Sequence, residues 1–127
     1  MENRLELQKE VRGKIETIRS RDRRYHADAY VFVIDAVEAV LLEIVRMRHI
    51  SGPELCNGLR TLAAARFGPM AKEVLNFWGV RSTGDFGNIV FNLVDAGLLL
   101  KTEHDRIEDF IDVYDFGEVF ERNYFEA

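Results

Sequence analysis

Cysteine occurs once, at position 56, in a chain of 127 residues. A lone thiol excludes an internal disulfide framework and any multi-cysteine zinc site, and it fits a reducing, cytoplasmic compartment. Two prolines and nine glycines are too few for a collagen-like or linker-like chain. The first ten residues, MENRLELQKE, hold no apolar run and do not read as a secretory leader. Histidine occurs only at 26, 49 and 104, with no H-x3-H or H-E-x-x-H spacing, so no metal site is expected. No glycine-rich phosphate loop follows a strand, and no nucleophile elbow is present. These absences argue against an enzyme, and no catalytic residue or cofactor is assigned.

What is present is an ordinary globular composition: 47% hydrophobic, 31% charged, with a net charge of −5. That supports one domain over 1–127, with two N-terminal helices in 1–50 and a winged-helix-like half in 51–127. The charge is unevenly spread. Residues 1–24 carry eight Lys or Arg against five Asp or Glu, whereas residues 82–127 carry three against eleven. A basic N-terminal surface and an acidic C-terminal one are expected.

Apolar spacing predicts a charged helix over 3–19, with a narrow stripe of Leu7, Val11, Ile15 and Ile18. Residues 27–47 have sixteen apolar positions of 21 and one thin polar stripe of Asp28, Asp35, Glu38, Glu43 and Arg46. This is the pattern of a central core helix, and its five charges make a membrane span costly. Ser51-Gly-Pro-Glu54 is a capping box that opens a third helix, with Leu55, Leu59, Leu62 and Ala63 on its buried face. A short helix from Pro69 buries Met70, Val74, Leu75 and Trp78, and Gly79 stops it. Ser82 or Thr83 then caps a helix buried through Phe86, Ile89, Val90, Leu93 and Val94 and ended by Gly97.

Residues 98–102 read as a strand, and 107–114 as its return partner, although Ile107, Phe110, Ile111 and Tyr114 also fit helical spacing. Phe116, Phe120 and Tyr124 suggest a closing helix. The expected fold is mainly α (α+β): a helical bundle with a winged-helix-like C-terminal half and a small β-hairpin. In that arrangement the third helix of the winged half would expose Asp85, Asn88, Asn92 and Asp95, and the wing is acidic. Neither suits a DNA groove.

Lone features have structural readings. His26 is expected to pin the start of the core helix, and Cys56 to be partly buried. The carboxylates Glu103, Asp105, Asp109, Asp112 and Asp115 supply enough oxygens for a divalent cation, although they do not match a calcium-loop spacing. The candidate partner surface comprises Arg19, Arg21, Arg23, Arg24, Tyr25, His26, Arg81, Asp109, Asp112 and Asp115. It points to a non-enzymatic module for an unidentified protein partner or self-association. The alternative is nucleic-acid or ribosome association through the basic N-terminal surface.

Several blocks of residues are familiar together: Asp22-Arg-Arg-Tyr-His26 with Ala29-Tyr30, Phe67-Gly-Pro-Met-Ala71, Trp78-Gly-Val80, and Thr83-x-Asp-Phe-Gly-x-Ile-Val-Phe-x-Leu-Val94. With Gly97-Leu-Leu99, Lys101-Thr102, Asp109-Phe110 and Val113-Tyr-Asp-Phe116 they resemble the Minf-type family of small bacterial proteins. The resemblance spans nearly the whole chain. It implies a bacterial cytoplasmic protein without an established activity, and supplies no catalytic residue.

Overall fold

The structure, a computed structural model, describes residues 2–43, 50–99 and 106–122. Helices α1 (Glu2–Arg21), α2 (Ala27–Glu43), α3 (Gly52–Phe67), α4 (Ala71–Phe77) and α5 (Thr83–Asp95) make the fold mainly helical. Short 3-10 turns lie at Gly68–Met70 and Ile107–Phe110, and a wide π-type turn at Gly117–Arg122 follows Phe116.

Helix α2 forms the centre because its apolar positions reach almost all round it. Ala29, Tyr30, Phe32, Val33 and Ala36 are buried, with α1, α3 and α5 packed against the helix. Of its thin polar stripe, Asp28 and Glu38 are exposed, and Asp35 pairs with Arg66 of α3 at 2.9 Å. Helix α1 contributes Ile15 and Ile18 to the core and only partly covers Val11. A charged helix with so narrow an apolar stripe has little else to bury.

The capping box at the start of α3 forms on both sides. Ser51 Oγ accepts from the Glu54 N–H, and Glu54 Oε1 accepts from the Ser51 N–H, each at 3.2 Å. Helices α4 and α5 end alike. Gly79 and Gly97 take positive φ of 92° and 79°, and the following Val80 and Leu98 N–H groups reach back to Leu75 O at 2.8 Å and Leu93 O at 2.9 Å. These six-to-one bonds satisfy carbonyls that a helix end otherwise leaves unpaired.

Four expectations need correction. Ile107–Phe110 is a 3-10 turn rather than a return strand. The reason is packing. Gly87 leaves a gap on α5 that the Phe110 ring fills, since a Cβ at Gly87 would lie 2.7 Å from Phe110 Cβ. Alternation of Ile111 and Val113 carries less weight than that anchor. Leu98 and Leu99 lie in a bend, so no β-hairpin and no wing is found among the described residues; the rest of the expected hairpin, 100–105, lies outside them, as do 44–47, His49, His104 and Tyr124. Met70 is 55% exposed, because Pro69 sits in a 3-10 turn and α4 proper begins only at Ala71. Ser82 is the N-cap of α5 but makes no side-chain cap bond, and the Thr83 hydroxyl instead accepts from the Val113 N–H at 3.2 Å.

Gly79 is the tightest of the described glycines. A Cβ there would stand 2.1 Å from the Arg24 carbonyl oxygen, a backbone atom that cannot swing aside. Positive φ and overpacking act together, so Gly79→Ala is expected to cost about 2–4 kcal/mol. Chemical denaturation of the two proteins checks this; an unchanged midpoint would contradict it.

Candidate interaction surface

The Asp22–His26 connector between α1 and α2 does not hang in solvent. The Arg19 Nε donates to the Tyr25 carbonyl at 3.2 Å, and the His26 N–H donates to the Trp78 carbonyl at 2.9 Å. His26 itself starts α2, its Nδ1 accepting from the Asp28 N–H at 3.1 Å. Tyr25 is therefore held pointing inward, 1% exposed, with its ring edge-on to Tyr30 at 6.3 Å. The Arg24 guanidinium lies over the Tyr25 ring, 5.2 Å from its centroid.

The Tyr25 hydroxyl meets the polar face of α5. It donates to Asp85 Oδ1 at 2.5 Å and accepts from Asn88 Nδ2 at 3.0 Å. One turn further along α5, Asn92 Nδ2 donates to Asp22 Oδ2 at 3.0 Å and to the Tyr30 hydroxyl at 3.1 Å. The second Asp85 oxygen takes the Arg81 N–H at 2.9 Å. Asp85, Asn88 and Asn92 lie at i, i+3 and i+7, hence on one face. That face was expected to be exposed. The connector covers it instead, and Asp85, Asn88 and Asn92 are half-buried.

Charge settles into the same junction. Arg24 binds Asp22 through Nε at 2.9 Å and Nη2 at 2.7 Å, and those bonds hold the Asp22 carboxyl well below the usual carboxylate range. Burial, and then the neighbouring Asp85 carboxylate, push the Tyr25 phenol above its ordinary value. Burial likewise raises Tyr30 and Tyr114. It also pushes the Cys56 thiol up to about 12, so Cys56 stays protonated and is a poor nucleophile at neutral pH.

The remaining candidate residues fall into separate places. Arg19 also pairs with Glu16 at 3.3 Å, whereas Arg21 at the end of α1 and Arg23 in the connector are exposed without an ion pair among the described residues. Arg81, Asp112 and Asp115 come together, with Ser82, Thr83, Tyr114 and Phe116, around a shallow cleft of about 230 Å³ at the start of α5. Asp115 is partly engaged there, since its Oδ2 accepts from the Glu118 N–H at 3.0 Å. Asp109 sits apart, its Cβ against Gly52. Among the described residues, no group of three or more His, Cys, Asp or Glu side chains is placed to hold a metal ion. Nor is any described helix long and apolar enough to cross a membrane.

Two apolar patches were missed by sequence reasoning. Phe77 is 78% exposed, with the His26 ring 6.1 Å away. Its signal was present, since Phe77 falls outside the stripe formed by Val74, Leu75 and Trp78. Ile107 and Ile111 are 38% and 56% exposed, in a segment whose Glu108, Asp109 and Asp112 are also exposed. Nothing local distinguished them from core positions, because the anchor at Phe110 depends on Gly87. The chain matches no family model, no curated protein and no solved structure.

The junction has two pH signatures of opposite sign. Asp22 titrates lower folded than unfolded, so its contribution is present above the unfolded value of about 4 and is lost as pH falls below it. Asp22→Asn is expected to flatten the acid limb of a stability-against-pH curve; an unchanged limb would contradict the pairing. Tyr25 titrates higher folded than unfolded, so its contribution is complete below about pH 10 and is lost as pH rises further. Tyr25→Phe is expected to flatten the alkaline limb, followed by denaturant unfolding at each pH.

Proposed function

We propose that the protein is a non-enzymatic protein-interaction module. The observation that carries this reading is the exposed Phe77 ring beside His26, in a fold where, among the described residues, no buried side-chain polar atom lacks a hydrogen-bond partner. A large aromatic at 78% exposure is a costly thing to leave in water, and aromatic anchors of this kind are enriched where one protein docks on another. The junction adds to the case. The face of α5 that would read a groove in a winged-helix-like arrangement is occupied by Asp22, Tyr25 and Tyr30. The order α3, α4, α5 is that of a winged-helix half, and the likeness is proposed for that order of helices alone. Membership of the Minf-type family is proposed on the quoted motif blocks.

The second reading, nucleic-acid or ribosome association, has the exposed Arg21 and Arg23 behind it. Two phosphate contacts give a salt slope of only about −2, against about 6–10 contacts in proteins that bind duplex tightly. The acidic remainder of the chain, net −5 overall, opposes it further.

The test is capture from native lysate with the tagged protein, with and without nuclease, using Phe77→Ser as the control. Nuclease-resistant retention of a defined protein, lost in Phe77→Ser at an unchanged Tm, is expected. Retention that vanishes with nuclease would favour the second reading. Retention indifferent to Phe77→Ser would contradict the assignment of the patch.

A further inference from the structure

The turn at Ile107–Phe110 is pinned from below and leaves two isoleucines outside. Phe110 fills the gap at Gly87 of α5, and the Asp109 Cβ rests against Gly52 of α3. Ile107 is 38% and Ile111 56% exposed. The Ile111 N–H donates to the Glu108 carbonyl at 3.1 Å, so the two isoleucines are held within one tight turn of chain.

The charge around that turn is negative. Glu108, Asp109 and Asp112 are exposed, as are Asp115 and Glu118 just beyond, and none makes an ion pair among the described residues. Against these five carboxylates stand Arg106 on the turn, Arg81 before α5, and the half-buried Arg60 of α3, whose charge is felt at Tyr114. Lys72 is already held by Glu121 at 3.2 Å. The acidic side continues into the cleft at the start of α5. Asp112 follows Ile111 directly and lines that cleft of about 230 Å³ with Asp115, Tyr114 and Phe116, while Arg81 forms part of its wall. The space is below the roughly 300–1,000 Å³ of small-molecule pockets and suits a single long side chain.

Resting on the interaction-module reading and adding a second face to it, we infer that this turn docks a basic segment of a partner protein. Apolar side chains of that segment cover Ile107 and Ile111, and a Lys or Arg enters the cleft beside Asp112 and Asp115. Charge selects the occupant, because an acidic segment or a nucleic acid would meet charge of its own sign. A contact centred on two isoleucines buries less than the roughly 1,200–2,000 Å² of a standard interface, so binding is weak and falls with salt.

The test is titration of the full chain with three synthetic peptides: an amphipathic Leu/Lys peptide, its Leu/Glu counterpart, and a Ser/Lys peptide of the same charge. Three variants accompany it. Ile111→Ser removes apolar surface, and Phe77→Ser leaves the turn intact. Asp112→Asn removes charge but keeps a residue that tolerates the positive φ of 53° found there. All three positions are exposed, circular dichroism checks that each variant folds, and the exposed Glu108, as Glu108→Gln, replaces either turn variant that does not. The Leu/Lys peptide is expected to bind, about tenfold more weakly to Ile111→Ser, more weakly to Asp112→Asn, and equally well to Phe77→Ser. The Leu/Glu and Ser/Lys peptides are expected to bind far less.

A Leu/Lys peptide that does not bind would overturn the inference and leave capture through Phe77 standing. Equal binding of the Ser/Lys peptide would reduce the contact to general charge attraction and overturn it too, as would indifference to both turn variants. Loss of binding in Phe77→Ser would move the peptide to that ring and contradict the assignment of the turn. Sedimentation velocity of the chain without peptide completes the test. A monomer is expected; growth with concentration that Ile111→Ser abolishes would give the turn to a second copy and overturn the inference.

Discussion

The hydroxyl of Tyr25 sits between Asp85 and Asn88, and the arrangement of the N-terminal helices depends on that junction. Helix α1 has a narrow apolar stripe and buries little against the bundle on its own account. What fixes it is the short connector, whose Tyr25 and Asp22 engage α5 while its backbone is tied to Arg19 and to the turn after α4. A buried polar network of this kind specifies one arrangement strongly, because every alternative leaves a desolvated hydroxyl, amide or carboxylate without a partner. Gly79 belongs to the same constraint. Without a Cβ it lets the Arg24 carbonyl approach the α4–α5 turn, and no other residue fits there.

The junction also decides which surfaces remain for recognition. Once Asp85, Asn88 and Asn92 are taken up internally, Asp95 is the one of the four expected polar positions on α5 left exposed. Arg24 and Arg19 are likewise spent on Asp22, Tyr25 and Glu16. Among the described residues the large apolar side chains left exposed include Phe77 beside His26, and Ile107 and Ile111 in a turn with exposed carboxylates, with Met70 and Val31 exposed as well. An apolar centre with a charged rim is the usual anatomy of a protein-binding surface.

Much of the helical frame was legible because its signals are local. The capping box at Ser51 and Glu54, the stop glycines at 79 and 97, and the wrapped apolar pattern of α2 each work within a turn or two of chain. The junction was not legible. Tyr25 and Asp85 are 60 residues apart, and Asp22 and Asn92 are 70, so no period in the sequence links them. For the same reason α5 looked polar on an outer face that the connector in fact covers. The acidic turn at 107–114 failed differently. Its spacing suited a strand and a helical turn equally, and the choice was made by the missing Cβ at Gly87. Of the site residues, the arginines were visible as a run, but which of them stay unpaired depended on their neighbours in space.

The most direct measurement is a double-mutant cycle between Tyr25→Phe and Asp85→Asn, read as unfolding free energies from denaturant titration at neutral pH. If the connector is locked to α5 through that hydrogen bond, the two substitutions are strongly non-additive, with a coupling of about 1–3 kcal/mol. Additive effects within about 0.3–0.5 kcal/mol would mean that the two groups do not interact in the folded protein. In that case the polar face of α5 is open, and the account of which surfaces are free for recognition fails with it.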